Sequence, residues 1–121
     1  MGAMERRKGM RGELEVVEIL KADFPSAARR ASGEESQADQ GRDLKGTPGL
    51  CVQVQLTAGP TTPLRKLMEA ECAAREGEIP LAFVRRDRTD WYVAIRPHHL
   101  LAILRRARLT PGDATDGPPG I

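Results

Sequence analysis

Residues 50–57, Leu-Cys-Val-Gln-Val-Gln-Leu-Thr, decide the fold class. Leu50, Val52, Val54 and Leu56 alternate with Cys51, Gln53, Gln55 and Thr57, and a period of two is the mark of a β-strand. Working toward the N-terminus, Gly46-Thr47-Pro48-Gly49 reads as a turn. Before it come a short strand over Arg42–Lys45, a polar loop over Ser32–Gln40, a second short strand over Ala27–Ala31, and a helix over Arg11–Phe24 that must stop before Pro25. Toward the C-terminus, Pro63–Glu76 reads as a helix with Pro in its first turn and Gly77 after its end, its face carrying Leu64, Leu67, Met68, Glu71 and Cys72. Leu81–Arg86 and Trp91–Ile95 form a hairpin around Asp87–Asp90. Pro97–Leu109 is a last helix, apolar at Leu100, Leu101, Ile103 and Leu104. The order α-β-β-β-α-β-β-α predicts an α/β domain with one mixed five-stranded sheet flanked by helices.

The first helix carries an anomaly. At about 100° per residue, Met10, Val16, Val17, Leu20 and Phe24 gather on one side, and Glu15 and Glu18 point to solvent. Glu13 falls inside the apolar face, between Val17 and Leu20. A carboxylate buried there is costly unless paired, protonated or bound to a metal. The alternative is an acid in a frayed first turn, favoured by the helix dipole.

Composition narrows the function classes. The chain has 121 residues, enough for one domain with its own core. We read 5–109 as that domain, Met1–Met4 as a start, a cloning scar and a second start, and the Pro/Gly-rich 110–121 as a disordered tail. No apolar run is long enough to cross a bilayer and no signal-peptide pattern is present, so an intracellular, cytoplasmic protein is expected. Cys51 and Cys72 fit no zinc spacing and read as reduced thiols, and His98-His99 read as residues near a helix N-terminus rather than ligands. Net charge is only +2, but the 19 Lys and Arg fall in clusters: Arg6-Arg7-Lys8 with Arg11, Arg29-Arg30, Arg85-Arg86 with Arg88, and Arg105-Arg106 with Arg108. Guanidinium clusters suit phosphate contact, though solvated faces look the same in sequence. One Trp, one Tyr and two Phe are too few for a base-stacking platform, which favours duplex or branched DNA over single strands.

Lys8-Gly9 followed by Glu13, Ala31-Ser32-Gly33, Arg42-Asp43-Leu44 and Gly49-Leu50-Cys51-Val52-Gln53-Val54-Gln55 occur in that order. Together they resemble the archaeal-type Holliday-junction resolvases and their phage relatives, members of the PD-(D/E)xK nucleases with the restriction-endonuclease-like fold. The likeness runs from about Arg7 to Leu104. It implies a homodimeric, Mg²⁺- or Mn²⁺-dependent endonuclease acting on branched DNA. It further implies metal ligands at Glu13, Asp43, position 53 and the Val54 carbonyl, a supporting Ser32, and a water-positioning lysine at position 55. Arg6, Arg7, Lys8, Arg11, Arg29, Arg30 and Lys66 would grip DNA.

The chain departs from that pattern in placing Gln53 where the family has an acid and Gln55 where it has lysine. Gln53 offers a metal an oxygen without charge, and Gln55 cannot relay a proton. Either the site is weak or inactive, leaving a DNA-binding protein on a nuclease fold, or the two residues were substituted to trap it, or a residue elsewhere compensates. Lys45 and Lys66 are the candidates for a displaced lysine. An unrelated α/β interaction domain is the third reading.

Overall fold

The computed structural model describes residues 2–29 and 41–108, with the side chains of 2–6 and 108 left undescribed. Helix α1 spans Gly2–Leu20, then come β1 (Ala28–Arg29), β2 (Leu44–Lys45), β3 (Leu50–Thr57), α2 (Pro63–Ala73), β4 (Ile79–Arg86), β5 (Tyr92–Ala94) and α3 (Pro97–Arg108). Among the described residues the expected element order holds, and the fold is mixed α/β. The single five-stranded sheet does not hold. Among the described residues β1 and β2 form one antiparallel pair, and β3, β4 and β5 form a separate sheet in that order. β3 and β4 are parallel, from Leu50 opposite Ile79 to Thr57 opposite Arg86, with α2 as the crossover between them; β5 returns antiparallel to β4. The break between the sheets has a local cause. The Val54 N–H, which β2 would have to engage to join the sheet, is taken by the side chain of Asp43 at 2.8 Å.

α1 begins earlier than expected and includes residues 2–4, because Ala3 to Lys8 is a run of good helix formers. It stops at Leu20, earlier than expected, and a turn over 21–23 brings the chain to Pro25. Val16 and Val17 pack with Ala27, Leu44, Val52, Val54, Ile79 and Leu81 in the core, while Met10, expected with them, is 44% exposed. The other face of β3 is also covered: Cys51 and Gln53 are buried beneath α2, whose inward residues are Leu67, Ala70 and Ala73. Leu64, Met68 and Cys72 are exposed instead. A stripe three and four residues apart has two possible centres on this helix, and the small alanines win because they let α2 lie close to the sheet.

Ion pairs join the layers. Glu15, expected in solvent, accepts hydrogen bonds from Arg85 at 2.9 and 3.2 Å and from the Trp91 indole at 3.1 Å, tying α1 to the β4–β5 hairpin. Arg96 forks onto Glu71 at 2.7 and 3.0 Å. Arg42, buried just before Asp43, forks onto Glu78 at 3.0 and 2.7 Å and also donates to the Ala73 carbonyl at 3.2 Å. That fork holds the chain entering Asp43 against the end of α2. Arg42→Met should cost about 3 kcal/mol, since it strands a carboxylate in a closed setting. The Arg42 hydrogen bond, more than the Arg75 backbone N–H, holds the Glu78 carboxyl below its usual range. This contribution is present above the ordinary carboxylate range and lost as pH falls through the lowered value, so the deficit of the variant in urea denaturation should shrink in acid.

Candidate active site

β3 is the edge of its sheet, and Val54 lies in the middle of that edge. Along a strand, the N–H and C=O of one residue point to the same side. Because the Val54 N–H points outward to Asp43, the Val54 carbonyl points outward too. Asp43 reaches this edge from the segment between Arg42 and β2, and its Oδ2 lies 3.9 Å from the Lys66 ammonium of α2. Glu13 arrives from α1 on the other side of the sheet, held by Arg29 Nε at 3.1 Å. Gly12 makes that approach possible: a Cβ there would sit 2.9 Å from the Leu56 Cβ, so only glycine lets α1 lie this close to β3.

The three side chains are partly enclosed, with Glu13, Asp43 and Lys66 exposed by 20%, 23% and 19%. Burial pushes the Glu13 carboxyl above its usual range and the negative charge of Asp43 adds to the effect; the hydrogen bond and charge of Arg29 and the charge of Lys66 pull it back. The two acids therefore sense each other, and Lys66 senses both. Glu13 is a half-buried carboxylate within the helix, paired with Arg29, rather than a frayed-turn acid.

The two glutamines go elsewhere. Gln55 receives the Thr62 N–H at 2.9 Å and donates to the Thr62 hydroxyl at 2.8 Å, closing the N-terminus of α2. Gln53 is 4% exposed, donates to the Gly41 carbonyl at 3.2 Å, and leaves its Oε1 buried with no hydrogen-bond partner among the described residues. Neither is a solvated strand-face residue. Of the two displaced-lysine candidates, Lys66 is the one near an acid of the site, 3.9 Å from Asp43 while it donates to Glu69 at 3.0 Å; Lys45 is exposed on β2.

A Mg²⁺ or Mn²⁺ ion fits this donor set in kind. Mg²⁺ is commonly held by one or two carboxylates with waters completing its shell, and Glu13 and Asp43 supply two, with the outward Val54 carbonyl as a neutral donor. Among the described residues no three Asp, Glu, His or Cys side chains cluster. The positive charges of Arg29 and Lys66 already answer much of the acid charge, so the fit is to a weakly held ion.

Among the expected DNA-contacting residues, Arg7 is exposed. Lys8 and Arg11 both pair with Asp87, the latter at 3.4 Å. Arg29 and Lys66 face the acids. Ser32 and Arg30, and the Arg6 side chain, lie outside the described residues. Sequence reading missed Asp87, whose pairing with α1 has no signal in spacing. Cys51 is buried and Cys72 exposed, both as free thiols, and His98 and His99 stand in the first turn of α3. No helix among the described residues is long and apolar enough to cross a membrane. Comparison with protein-family models, curated proteins and solved structures finds no match for the chain.

Proposed function

We propose that this chain is a metal-dependent endonuclease of the Holliday-junction resolvase type, with a restriction-endonuclease-like core, acting on branched DNA. One observation carries the reading: Asp43, capping the Val54 N–H at the edge of β3, lies 3.9 Å from Lys66 of α2, and Glu13 of α1 is near enough to feel the charge of both. Lys66 takes the place that the resemblance assigned to position 55, reaching the acids from α2 rather than from β3.

Glu13 and Asp43 would hold Mg²⁺ or Mn²⁺, with the Val54 carbonyl as a further donor. When bound, the ion would supply charge stabilisation at the phosphorus and a more acidic water. The chain's own groups do the rest. Asp43 is fixed by the Val54 N–H. Glu13 is fixed by Arg29. Lys66 places a positive charge beside the attacking and developing negative oxygens, the electrostatic contribution that is often the largest in such sites. Gln55 does no chemistry here; it holds the start of α2, and hence Lys66, in place.

Cutting opposed strands of a junction calls for two sites in a symmetric pair. Tyr92 and Val93 on the edge strand β5, and Leu100, Leu101 and Leu104 on α3, are exposed apolar residues suited to a second copy of this chain. The test is incubation of a labelled four-way junction with the full chain and Mg²⁺ or Mn²⁺, beside sedimentation of the protein. Metal-dependent nicks on opposed strands by a dimer are expected. Tight junction binding with no nicks would favour the second reading, a DNA-binding protein on the same fold, for which the two glutamines speak.

A further inference from the structure

The catalytic reading leaves unused a basic surface at the far end of β3. A groove of about 490 Å³ runs from Val54 and Gln55 past Thr57 to Gly59, with Lys8 and Gly9 of α1 as its other wall. Three residues of strand at about 3.3 Å each separate Val54 from Thr57, a length of about 10 Å. Thr57 lies opposite Arg86, and Arg86 donates to the Ala58 carbonyl at 3.3 Å, so the groove ends against the β4–β5 turn.

That turn is strongly cationic. Asp87 is engaged by both Lys8 and Arg11, and Arg85 is committed to Glu15 and stacks over the Trp91 ring. Among the described residues Arg86 and Arg88 enter no ion pair, and both are exposed. Asp90 is the one further acid of the turn, and Arg11 also lies 3.6 Å from Glu15, so five cations, Lys8, Arg11, Arg85, Arg86 and Arg88, are set against three carboxylates, Glu15, Asp87 and Asp90. Arg88 also sits at φ 68°, a left-handed conformation that favours Gly or Asn, so its side chain is kept there at a backbone cost.

We infer that Arg86 and Arg88 form a second nucleic-acid contact, gripping backbone phosphates of the strand that leaves the Val54 site along this groove. The inference rests on the reading of that site as a phosphodiesterase, and it assigns the β4–β5 turn a role in substrate grip rather than in chemistry. Phosphate recognition suits the residues: two guanidiniums with free donors, at the end of a groove lined by β3 and by Lys8 and Gly9, read charge and shape but no base sequence.

The experiment is binding of a labelled four-way DNA junction by the full chain in EDTA, which separates binding from cleavage, at several salt concentrations. Arg86→Gln/Arg88→Asn retains a donor to Ala58 and a residue at ease in the left-handed turn. It should weaken binding and lower the slope of log affinity against log salt by roughly two, the share of two phosphate contacts. Arg86→Lys/Arg88→Lys should recover most of that slope. Arg105→Gln/Arg106→Gln, on α3, should bind like the parent. A parent that binds well and a Gln/Asn variant that binds equally, with an unchanged slope, overturns this inference and leaves the proposed function standing. A Lys/Lys variant as weak as the Gln/Asn one also overturns it, by assigning the loss to turn shape. A parent that binds no DNA at all overturns the proposed function itself.

Discussion

Asp43→Asn should leave the protein folded and reduce metal-dependent junction cleavage on the order of 10²- to 10³-fold. The amide keeps an oxygen in the place where Asp43 accepts the Val54 N–H at 2.8 Å, so the edge of β3 stays closed. What disappears is the negative charge opposite Lys66 and beside Glu13. Losing one oriented electrostatic group in a partly enclosed site typically costs this much in rate. The stabilisation of the parent by millimolar Mn²⁺ in a thermal melt, expected because a ligand that binds only the folded state raises its melting temperature, should vanish in the same variant. A variant cleaving within threefold of the parent would remove Asp43 from the site.

Glu13→Gln should move activity and stability in opposite directions. Burial first, and the charge of Asp43 second, raise the Glu13 carboxyl above its usual range. A carboxyl that is more basic in the folded chain than in the unfolded one binds its proton more tightly when folded. Its ionised form therefore opposes folding. That penalty is full above the raised value and absent below the ordinary carboxylate range. The amide variant carries no such charge and still offers an oxygen to Arg29. It should melt at a higher temperature than the parent at pH 7, with the gap closing as the solution is acidified through the raised value. Cleavage should fall about 10²-fold. A group kept at a cost to stability is what a functional site looks like in energetic terms. Equal or lower melting temperature at neutral pH would count against that view of Glu13.

Much of this architecture is legible in the chain because its signals are local. The alternation at 50–57, Pro63 opening a helix and the apolar hairpin each follow from neighbouring residues, and all three elements are present. Glu13 stood out for the same reason, as a carboxylate on an apolar face. What could not be read was non-local. Asp43 capping the edge of β3 splits a five-stranded sheet into a pair and a trio, and nothing in the spacing of Arg42-Asp43-Leu44 announces it. Gln53 and Gln55, one strand face by pattern, part company because one is drawn to the Gly41 carbonyl and the other to Thr62. Glu15 looked like a solvent acid until Arg85 and Trp91, distant in sequence, closed on it. Lys66 could be named as a displaced lysine but not placed, since its reach to Asp43 depends on how α2 packs over β3.

That placement is the claim on which the account turns, and a swap of lysines tests it most directly. Junction cleavage should be measured for Lys66→Met and for Lys66→Met combined with Gln55→Lys. The account predicts that the single variant loses cleavage on the order of 10²-fold and that a lysine at position 55 returns a large part of it. Parent-like cleavage by Lys66→Met would contradict it.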